Sequence, residues 1–167
     1  AAAEGEGALL EAVDRMVPML SFFRHADGSL ARFNGVGETP ADLLAAVLSA
    51  AGRSAAAPDN ARYSGFQRIE AGGVAILMDT GAAPPSPFAG AAHAGCLSFE
   101  MTDRTAPVIV NCGVPAGANP AWRAAARTTA AHSTLVLDDT ASARIPAAGG
   151  PLEGGPSAVP VERMERN

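Results

Sequence analysis

The sequence predicts an α+β chain, with two amphipathic helices near the N-terminus followed by antiparallel strands. Apolar residues recur at helical spacing in residues 7–20 and 39–51, and from Tyr63 onward apolar and polar residues alternate with a period of two. Turn signals separate the strand-like runs, as in hairpins. The 167 residues are enough for one domain, but much of the 48% hydrophobic content is alanine, so the core should be modest.

The two helices differ in how clearly their ends are marked. Pro18 should kink the first helix or end it early, because proline lacks an N–H and clashes with the preceding turn. In the second helix Thr39 is the predicted cap, Pro40 takes the first helical position and Gly52 ends it. Residues 53–61 have the composition of a linker.

Two hairpins are predicted, one joining YSGFQRIE to VAILMDT and one joining CLSFEMT to PVIVNC. A turn near Arg104 would place Cys96 opposite Cys112, with Cβ atoms about 4.5–5.5 Å apart, which is a little wide for a disulfide. We therefore interpret the two cysteines as small buried side chains. The run STLVLDD predicts a further strand, and the Gly- and Pro-rich residues 146–160 predict a loop.

Three polar residues at strand ends form a candidate site. Strand alternation places His93 and Asn111 on the same face as the apolar residues of the second hairpin, and His132 precedes the next predicted strand. Either His93 and Asn111 share a pocket there, or they are a satisfied core histidine and a strand-end cap. The spacing is too wide for a local metal motif, so tertiary structure must assemble any site.

Arg123, Arg127 and Trp122 lie in the segment before His132 and are candidate substrate-binding residues. A guanidinium pairs bidentately with a uronate carboxylate, and an indole stacks on a sugar ring. The alternatives are that the arginines pair with local acids and that the tryptophan serves packing.

Charge and hydropathy exclude some classes of partner. The net charge of −5 and the pI of about 5.1 argue against nucleic acid. There is no run of 18 apolar residues, so no membrane span is predicted. The N-terminus lacks the pattern of a signal peptide, and both ends look like cuts. We therefore interpret the chain as a fragment whose compartment cannot be inferred from a leader.

The segments AHAGCLSFE, VIVNCG and Arg123–Asp138 resemble, in that order, the heparinase II/III family of polysaccharide lyases. The resemblance covers roughly Met16–Arg144. It implies the C-terminal helices of an (α/α) toroid in residues 1–52, a linker in 53–61 and the first part of a mainly antiparallel β-sandwich in 62–167, incomplete at both ends. It also implies an irregular loop at 121–131.

Carried over residue by residue, the zinc ligands of the family fall on His93, Asn111 and His132, and a catalytic histidine falls on Ala91. Asn111 stands where the family has an aspartate, so the resemblance implies a much weakened zinc site or a hydrogen-bonded substitute in the same geometry. The cofactor is accordingly zinc or none.

The resemblance implies that the full-length protein performs β-elimination on a uronic-acid polysaccharide, such as a heparan-like or alginate-like polymer. The alternative is a non-catalytic envelope or carbohydrate-binding protein derived from a lyase, which Ala91 and Asn111 favour. The implied partner is an acidic polysaccharide, the implied location is the periplasm or cell envelope, and a homodimer stays open.

We predict that residues 1–167 on their own neither fold stably nor cleave polysaccharide. A sandwich that breaks off after about six strands has an unpaired edge, and the two helices lack partners for their apolar stripes. The expressed chain should show no cooperative thermal transition and should form no unsaturated uronate product. A cooperative melt together with lyase activity would overturn the fragment interpretation.

Overall fold

The computed structural model describes residues 2–52, 56–147 and 149–164, with side chains from residue 7 onward. Its helices are α1 (Ala2–Phe22), α2 (Ala41–Ala50) and α3 (Pro120–Ala126). Its strands are β1 (Asn60–Ala61), β2 (Phe66–Ala71), β3 (Val74–Asp79), β4 (Phe99–Asp103) and β5 (Ala106–Ile109). Short 3-10 turns lie at Phe33–Gly35, Ser86–Ala91 and Thr129–Ala131. The predicted α+β class is confirmed. Within these ranges, no helix is long and apolar enough to cross a membrane.

The strands form a five-stranded antiparallel sheet in which each strand pairs with the next one in sequence. Both predicted hairpins are confirmed, with Ala71 opposite Val74 in the first and Asp103 opposite Ala106 in the second. A register shift between Met101 and Thr102 interrupts the β4–β5 ladder. Residues after this shift are therefore out of step with the simple alternation used for the sequence prediction.

The inner face of β4 is not the face that alternation predicted. Glu100 and its two neighbours on the same face are fully buried, whereas Phe99 and Met101 are only partly buried. Asn111 lies with Glu100, since the two side chains contact each other, so the prediction that it shares the apolar face is wrong. The apolar residues of a strand form its buried face only when the segment that packs against that face is also apolar. Here the partner segment presents backbone N–H groups and a histidine, which require polar contacts.

A small aromatic cluster fills the space between α1 and the sheet. The ring centroids of Phe23 and Phe66 are 5.0 Å apart, as are those of Phe33 and Phe66, and both pairs meet edge to face. Phe22 and Leu77 are fully buried beside them. Such aromatic pairs contribute about 0.5–1.5 kcal/mol each beyond the area they bury. The cluster therefore packs the end of α1 against β2 and β3.

Glu100 joins three separate segments through one buried carboxylate. Its Oε2 accepts a hydrogen bond from His25 Nε2 at 2.7 Å, and its Oε1 accepts one from the backbone N–H of Arg32 at 2.9 Å. The same Oε1 accepts from the backbone N–H and the side-chain Nδ2 of Asn111, both at 3.1 Å. Glu100 is 0% exposed, so these donors replace the water that the carboxylate has lost.

Arg68, on β2, binds the end of α1. Its Nη1 donates to the carbonyl oxygens of Phe22 at 2.7 Å and Arg24 at 3.1 Å, at the helix end, where carbonyls lack internal partners. These bonds stabilise the last turn of α1, which continues to Phe22 with Pro18 inside it. The prediction that Pro18 ends the helix early is wrong.

The N-terminus of α2 also differs from the prediction. The helix begins at Ala41 with Pro40 in the cap position, and no side chain caps it. Thr39 is therefore not the cap, and Asp42 accepts a hydrogen bond from the backbone N–H of Leu43 at 2.9 Å. Gly52 follows the helix with a φ of 66°, a conformation that glycine adopts readily, so the predicted stop is confirmed.

The segment predicted to be an irregular loop contains α3. Asn119 caps this helix, because its Oδ1 accepts from the backbone N–H of Trp122 at 2.8 Å, and Pro120 occupies the first helical position. The alanines that follow carry the helix to Ala126. The cap and the helix propensity of the alanines make this segment helical, and the prediction of an irregular loop is wrong.

The predicted strand STLVLDD does not form a ladder with the described strands. An isolated bridge joins Leu137 to Thr140 across a tight turn at Asp138 and Asp139, both of which have positive φ. Leu135 and Leu137 are exposed. A strand needs a neighbour for its N–H and C=O groups, and here the described backbone contact to β4 is a single bond, from Phe99 N–H to Ser133 O at 3.1 Å, at the start of the run.

The two cysteines are not the buried pair that the sequence predicted. Both are free thiols, with Cys96 partly buried and Cys112 exposed. β5 ends at Ile109, and the backbone N–H of Cys112 donates to Ala131 O at 3.2 Å. Because the β4–β5 ladder ends at Ile109, Cys112 has no position opposite Cys96 in the sheet, which the prediction had assumed.

The buried carboxylate of Glu100 on β4 predicts a large difference in stability between its substitution and that of Glu70 on β2. Glu100→Gln should lower the free energy of unfolding by roughly 3 kcal/mol, the scale for breaking a buried charged contact. Glu70→Gln is the matched control, because Glu70 is 60% exposed in its ion pair with Arg68 and should contribute less than about 1 kcal/mol. Urea denaturation of the protein at its natural length measures both. Equal shifts for the two variants would contradict the role given to Glu100.

Candidate functional site

His93 and His132, which we call the histidine pair, meet although they are distant in sequence. His93 Nδ1 lies 3.3 Å from His132 Nε2, and the ring centroids are 5.3 Å apart with the rings nearly perpendicular. Two glycines make room for the rings. A Cβ on Gly35 would lie 2.9 Å from His93 Nε2, and a Cβ on Gly95 would lie 2.8 Å from His132 Cδ2. Larger residues at these positions would displace the imidazoles.

A backbone carbonyl contacts each imidazole, that of Ala126 at His93 and that of Thr128 at His132. The backbone N–H of His93 donates to Asn34 Oδ1 at 3.1 Å, and His132 Nδ1 donates to the carbonyl oxygen of Thr128 at 2.8 Å. The second contact places the His132 proton on Nδ1 and leaves a lone pair on Nε2, facing His93. In the neutral pair His93 Nδ1–H can then donate to His132 Nε2.

Burial keeps both imidazoles uncharged at neutral pH. Desolvation lowers the pKa of His93 to about 4, with smaller contributions from His132 and from the charge of Arg127. Desolvation also lowers the pKa of His132, although its hydrogen bond to Thr128 acts in the opposite direction. The site therefore presents neutral nitrogen donors and acceptors rather than positive charge.

Asn111 is connected to the histidine pair without pointing its amide at a shared centre. Its Nδ2 donates to Glu100 at 3.1 Å, and its Oδ1 accepts from the backbone N–H of Ser133 at 2.9 Å. Ser133 follows His132 in sequence, so Asn111 fixes the backbone that carries this histidine. The three predicted residues thus belong to one network, in which two are neighbours and the third acts through the backbone.

The donor set fits a zinc ion only in part. Two nitrogens 3.3 Å apart suit a tetrahedral ion with Zn–N bonds of about 2.0–2.1 Å, and the Thr128 carbonyl supplies the usual outer partner. The third position carries an amide that is already bonded on both sides and has no charge. Among the described residues no group of three His, Cys, Asp or Glu could hold a metal. The residues therefore do not fit the zinc site that the resemblance implies.

The predicted substrate-binding residues occupy different environments. Arg127 is anchored, since its Nε donates to Ala92 O at 3.0 Å and its Nη2 donates to Gly150 O at 2.8 Å. It therefore supports the loop that carries His93. Trp122 is 52% exposed on α3, and Arg123 beside it is also exposed, with its Nε bonded to Ala118 O. The structure does not bring Trp122 or Arg123 to the histidine pair.

A cavity of about 930 Å³ lies beside His93 and includes Ala91 in its lining. Asp79 lines it from the end of β3, and burial raises the pKa of this carboxyl to about 6, against the hydrogen bond from Gly81 N–H, which lowers it. Sequence reasoning missed both Asp79 and Glu100. The available signal for Asp79 was its position as an acidic residue at the end of an apolar strand. For Glu100 the signal was weaker, since it was only a charged residue within a run of alternating polar and apolar residues.

Comparison with known proteins gives one family and one curated relative. The model of the family described as "Heparinase II/III-like, C-terminal" matches residues 40–163. The protein named FtsZ-localized protein C, from Caulobacter vibrioides (strain NA1000 / CB15N), is 34% identical over 151 residues. The match covers 88% of this chain and 24% of that protein, so the chain spans about a quarter of its relative's length.

Solved structures with the same fold are heparinases. A structure titled "Heparinase III-BT4657 gene product" has a TM-score of 0.56 at 18% identity and covers 79% of this chain and 24% of that one. A structure titled "Crystal Structure of Heparinase III" has a TM-score of 0.51 at 14% identity, covering 80% and 26% respectively. At these identities the likeness concerns the fold, and it supports the predicted α+β fragment with part of a β-domain.

The depressed pKa of His93 predicts a specific pH dependence. Below the usual value of 6.5 the unfolded chain takes up a proton that the folded chain takes up only near pH 4, so His93 makes the folded state less stable as pH falls through this window. Asp79, with its pKa raised from 3.8 to about 6, makes the folded state more stable as pH falls through this range. The effect of His93 is therefore measured as the difference in stability between the wild type and a His93 variant. We expect His93→Gln to lose less stability than the wild type between pH 6.5 and 4.

NMR titration of the imidazoles checks this prediction directly. In the presence of a chelator, one imidazole should titrate near pH 4, and this signal should disappear in His93→Gln. Added zinc should leave the titration unchanged in the wild type. A His93 pKa near 6.5, or a zinc-dependent shift at stoichiometric metal, would contradict the neutral, hydrogen-bonded pair.

Proposed function

Because the chain belongs to the heparinase II/III-like family, we propose that the protein binds a uronic-acid polysaccharide through a lyase-derived fold without cleaving it. The observation that carries the proposal is Ala91, which stands in the cavity lining at the position where the resemblance implies a catalytic histidine. A methyl group neither accepts nor donates a proton. This domain thus lacks a group that β-elimination needs, while the cavity for a ligand is retained.

The histidine pair is a poor replacement for the missing group. β-Elimination removes a C5 proton, and an efficient base has a pKa near the working pH. His93 has a pKa of about 4, more than two units below neutrality, and its Nδ1 is engaged with His132. We propose that the pair serves as a hydrogen-bonded element that shapes the cavity wall, in place of a zinc centre.

The name of the curated relative supports a role other than degradation. That protein is named for localisation with FtsZ, and the match to it is closer in sequence than the likeness to the heparinase structures. We propose that the present protein works at the cell envelope and recognises an envelope polysaccharide, with Arg123 and Trp122 as exposed contacts. A stacking indole beside a guanidinium suits a sugar that carries a carboxylate.

A second candidate is a polysaccharide lyase whose machinery includes residues outside this chain. Asp79 favours it, because a carboxyl with a pKa of about 6 lies in the same cavity as Ala91 and is close to the range of a general base. Both candidates require polysaccharide binding, and they differ in whether the C5 proton is removed.

Product formation and binding distinguish the two candidates. The protein at its natural length should bind a uronate polymer from a panel, yet it should release no unsaturated uronate detectable by ultraviolet absorbance. Trp122→Ala and Arg123→Ala should each weaken binding about tenfold. Arg104→Ala, an exposed arginine on the β4–β5 turn, is the matched control and should bind normally.

Two outcomes would change this conclusion. Steady release of unsaturated product by the wild type, abolished by Asp79→Asn, would establish the lyase instead. Failure to bind any polymer of the panel would remove polysaccharide recognition altogether.

A further inference from the structure

We propose that the cavity beside the histidine pair is a subsite for one uronic-acid unit, with Tyr63 as the stacking platform and Arg62 as the partner of the carboxylate. The subsite rests on the proposed function, because it takes the ligand to be a polysaccharide. The proposal gives a role in binding to the β1–β2 turn and to the end of β3, neither of which contributes to the histidine pair.

Two exposed aromatic rings line this one cavity. Tyr63 is 96% exposed, and Phe88, from the 3-10 turn before His93, is 78% exposed. The guanidinium of Arg62 lies 5.4 Å from the centroid of the Tyr63 ring, so the two side chains are neighbours. A sugar stacked on the exposed ring therefore has its carboxylate within reach of the arginine. The apolar C–H face of a pyranose suits such a ring, and single pockets that combine aromatic walls with a few polar groups are typical ligand sites.

The polar lining matches a sugar acid. Arg62 is the single Lys or Arg among the described residues that line the cavity, and its planar fork suits a carboxylate. Asn60 and Gln67, whose amides are 3.4 Å apart, and Asp79 also line the cavity. These groups supply both donors and acceptors for hydroxyls. The cavity volume of about 930 Å³ also accommodates more than one sugar unit.

The stacking platform is held in place before any ligand arrives. The backbone N–H groups of Ser64 and Gly65 donate to Ala61 O at 3.0 and 2.8 Å, which closes the turn that carries Tyr63. The backbone N–H of Thr80 donates to Gly65 O at 3.0 Å and its hydroxyl donates to the same oxygen, so the turn is tied to the end of β3. A preformed turn lowers the ordering cost of binding.

The test compares matched variants of the protein at its natural length against two forms of the ligand. Alginate and heparan sulfate oligosaccharides, each with and without chemical reduction of the carboxylates, are titrated calorimetrically. Tyr63→Ala should weaken binding of all bound forms about tenfold, and Tyr63→Phe, which keeps the ring, should bind within about twofold of the wild type.

Arg62→Gln should weaken binding of the carboxylate form about tenfold and leave the reduced form unchanged. Arg104→Gln controls for loss of one surface charge. All three substituted positions are exposed, so the melting temperatures of the four variants should match the wild type and report folding independently.

The failure of the subsite and the failure of the proposed function give different results. Wild-type binding that survives both Tyr63→Ala and Arg62→Gln would overturn the subsite while polysaccharide recognition stands. Equal weakening of charged and reduced ligands by Arg62→Gln would overturn the carboxylate contact. Absence of wild-type binding to every oligosaccharide would overturn the proposed function and the subsite together.

Discussion

Glu100 is a fully buried charge, and its need for hydrogen-bond donors shapes the arrangement around it. Its donors come from His25 after α1, from Arg32 before a 3-10 turn, and from Asn111 after β5. An unsatisfied buried group costs about 1–3 kcal/mol, and more when charged, so none of these segments can move away cheaply. Arg68 acts in the same way on the last carbonyls of α1. The sheet therefore holds the helical segment by polar contacts as well as by its aromatic cluster.

The same constraint reaches the candidate site through Asn111. Its amide donates to Glu100 and accepts from Ser133, whose neighbour His132 faces His93. A carboxylate at position 111 would face the Glu100 oxygen at about the 3.1 Å now spanned by a hydrogen bond, and two like charges there would repel. An amide satisfies both neighbours. One side chain thus accounts for two properties, the completed hydrogen-bond network and the missing anionic metal ligand.

Membership of the heparinase II/III-like family establishes the ancestry of this domain, whereas its chemistry depends on the residues that occupy the site. The domain has a cavity, an anchored Arg127 and a neutral histidine pair, and the position that the resemblance assigns to a catalytic histidine is Ala91. Binding survives such a substitution better than proton transfer does, because the substitution removes only that residue's contacts to a ligand but removes the group that transfers the proton altogether. This asymmetry is why recognition without cleavage is the favoured proposal.

Local patterns determined a large part of the fold. Helical periodicity located α1 and α2, period-two alternation with turn residues located both hairpins, and the order of the motifs indicated the family. Tertiary structure decided what these patterns leave open. The inner face of β4 follows the hydrogen-bonding requirement of Glu100 rather than the apolar residues of the strand. α1 continues past Pro18, and Arg68 binds the carbonyl oxygen of Phe22 at its end. STLVLDD forms no ladder with the described strands. The histidine pair joins residues 39 positions apart. No local pattern specifies this contact, because it forms only when the loop before β4 and the segment after α3 come together in the folded chain.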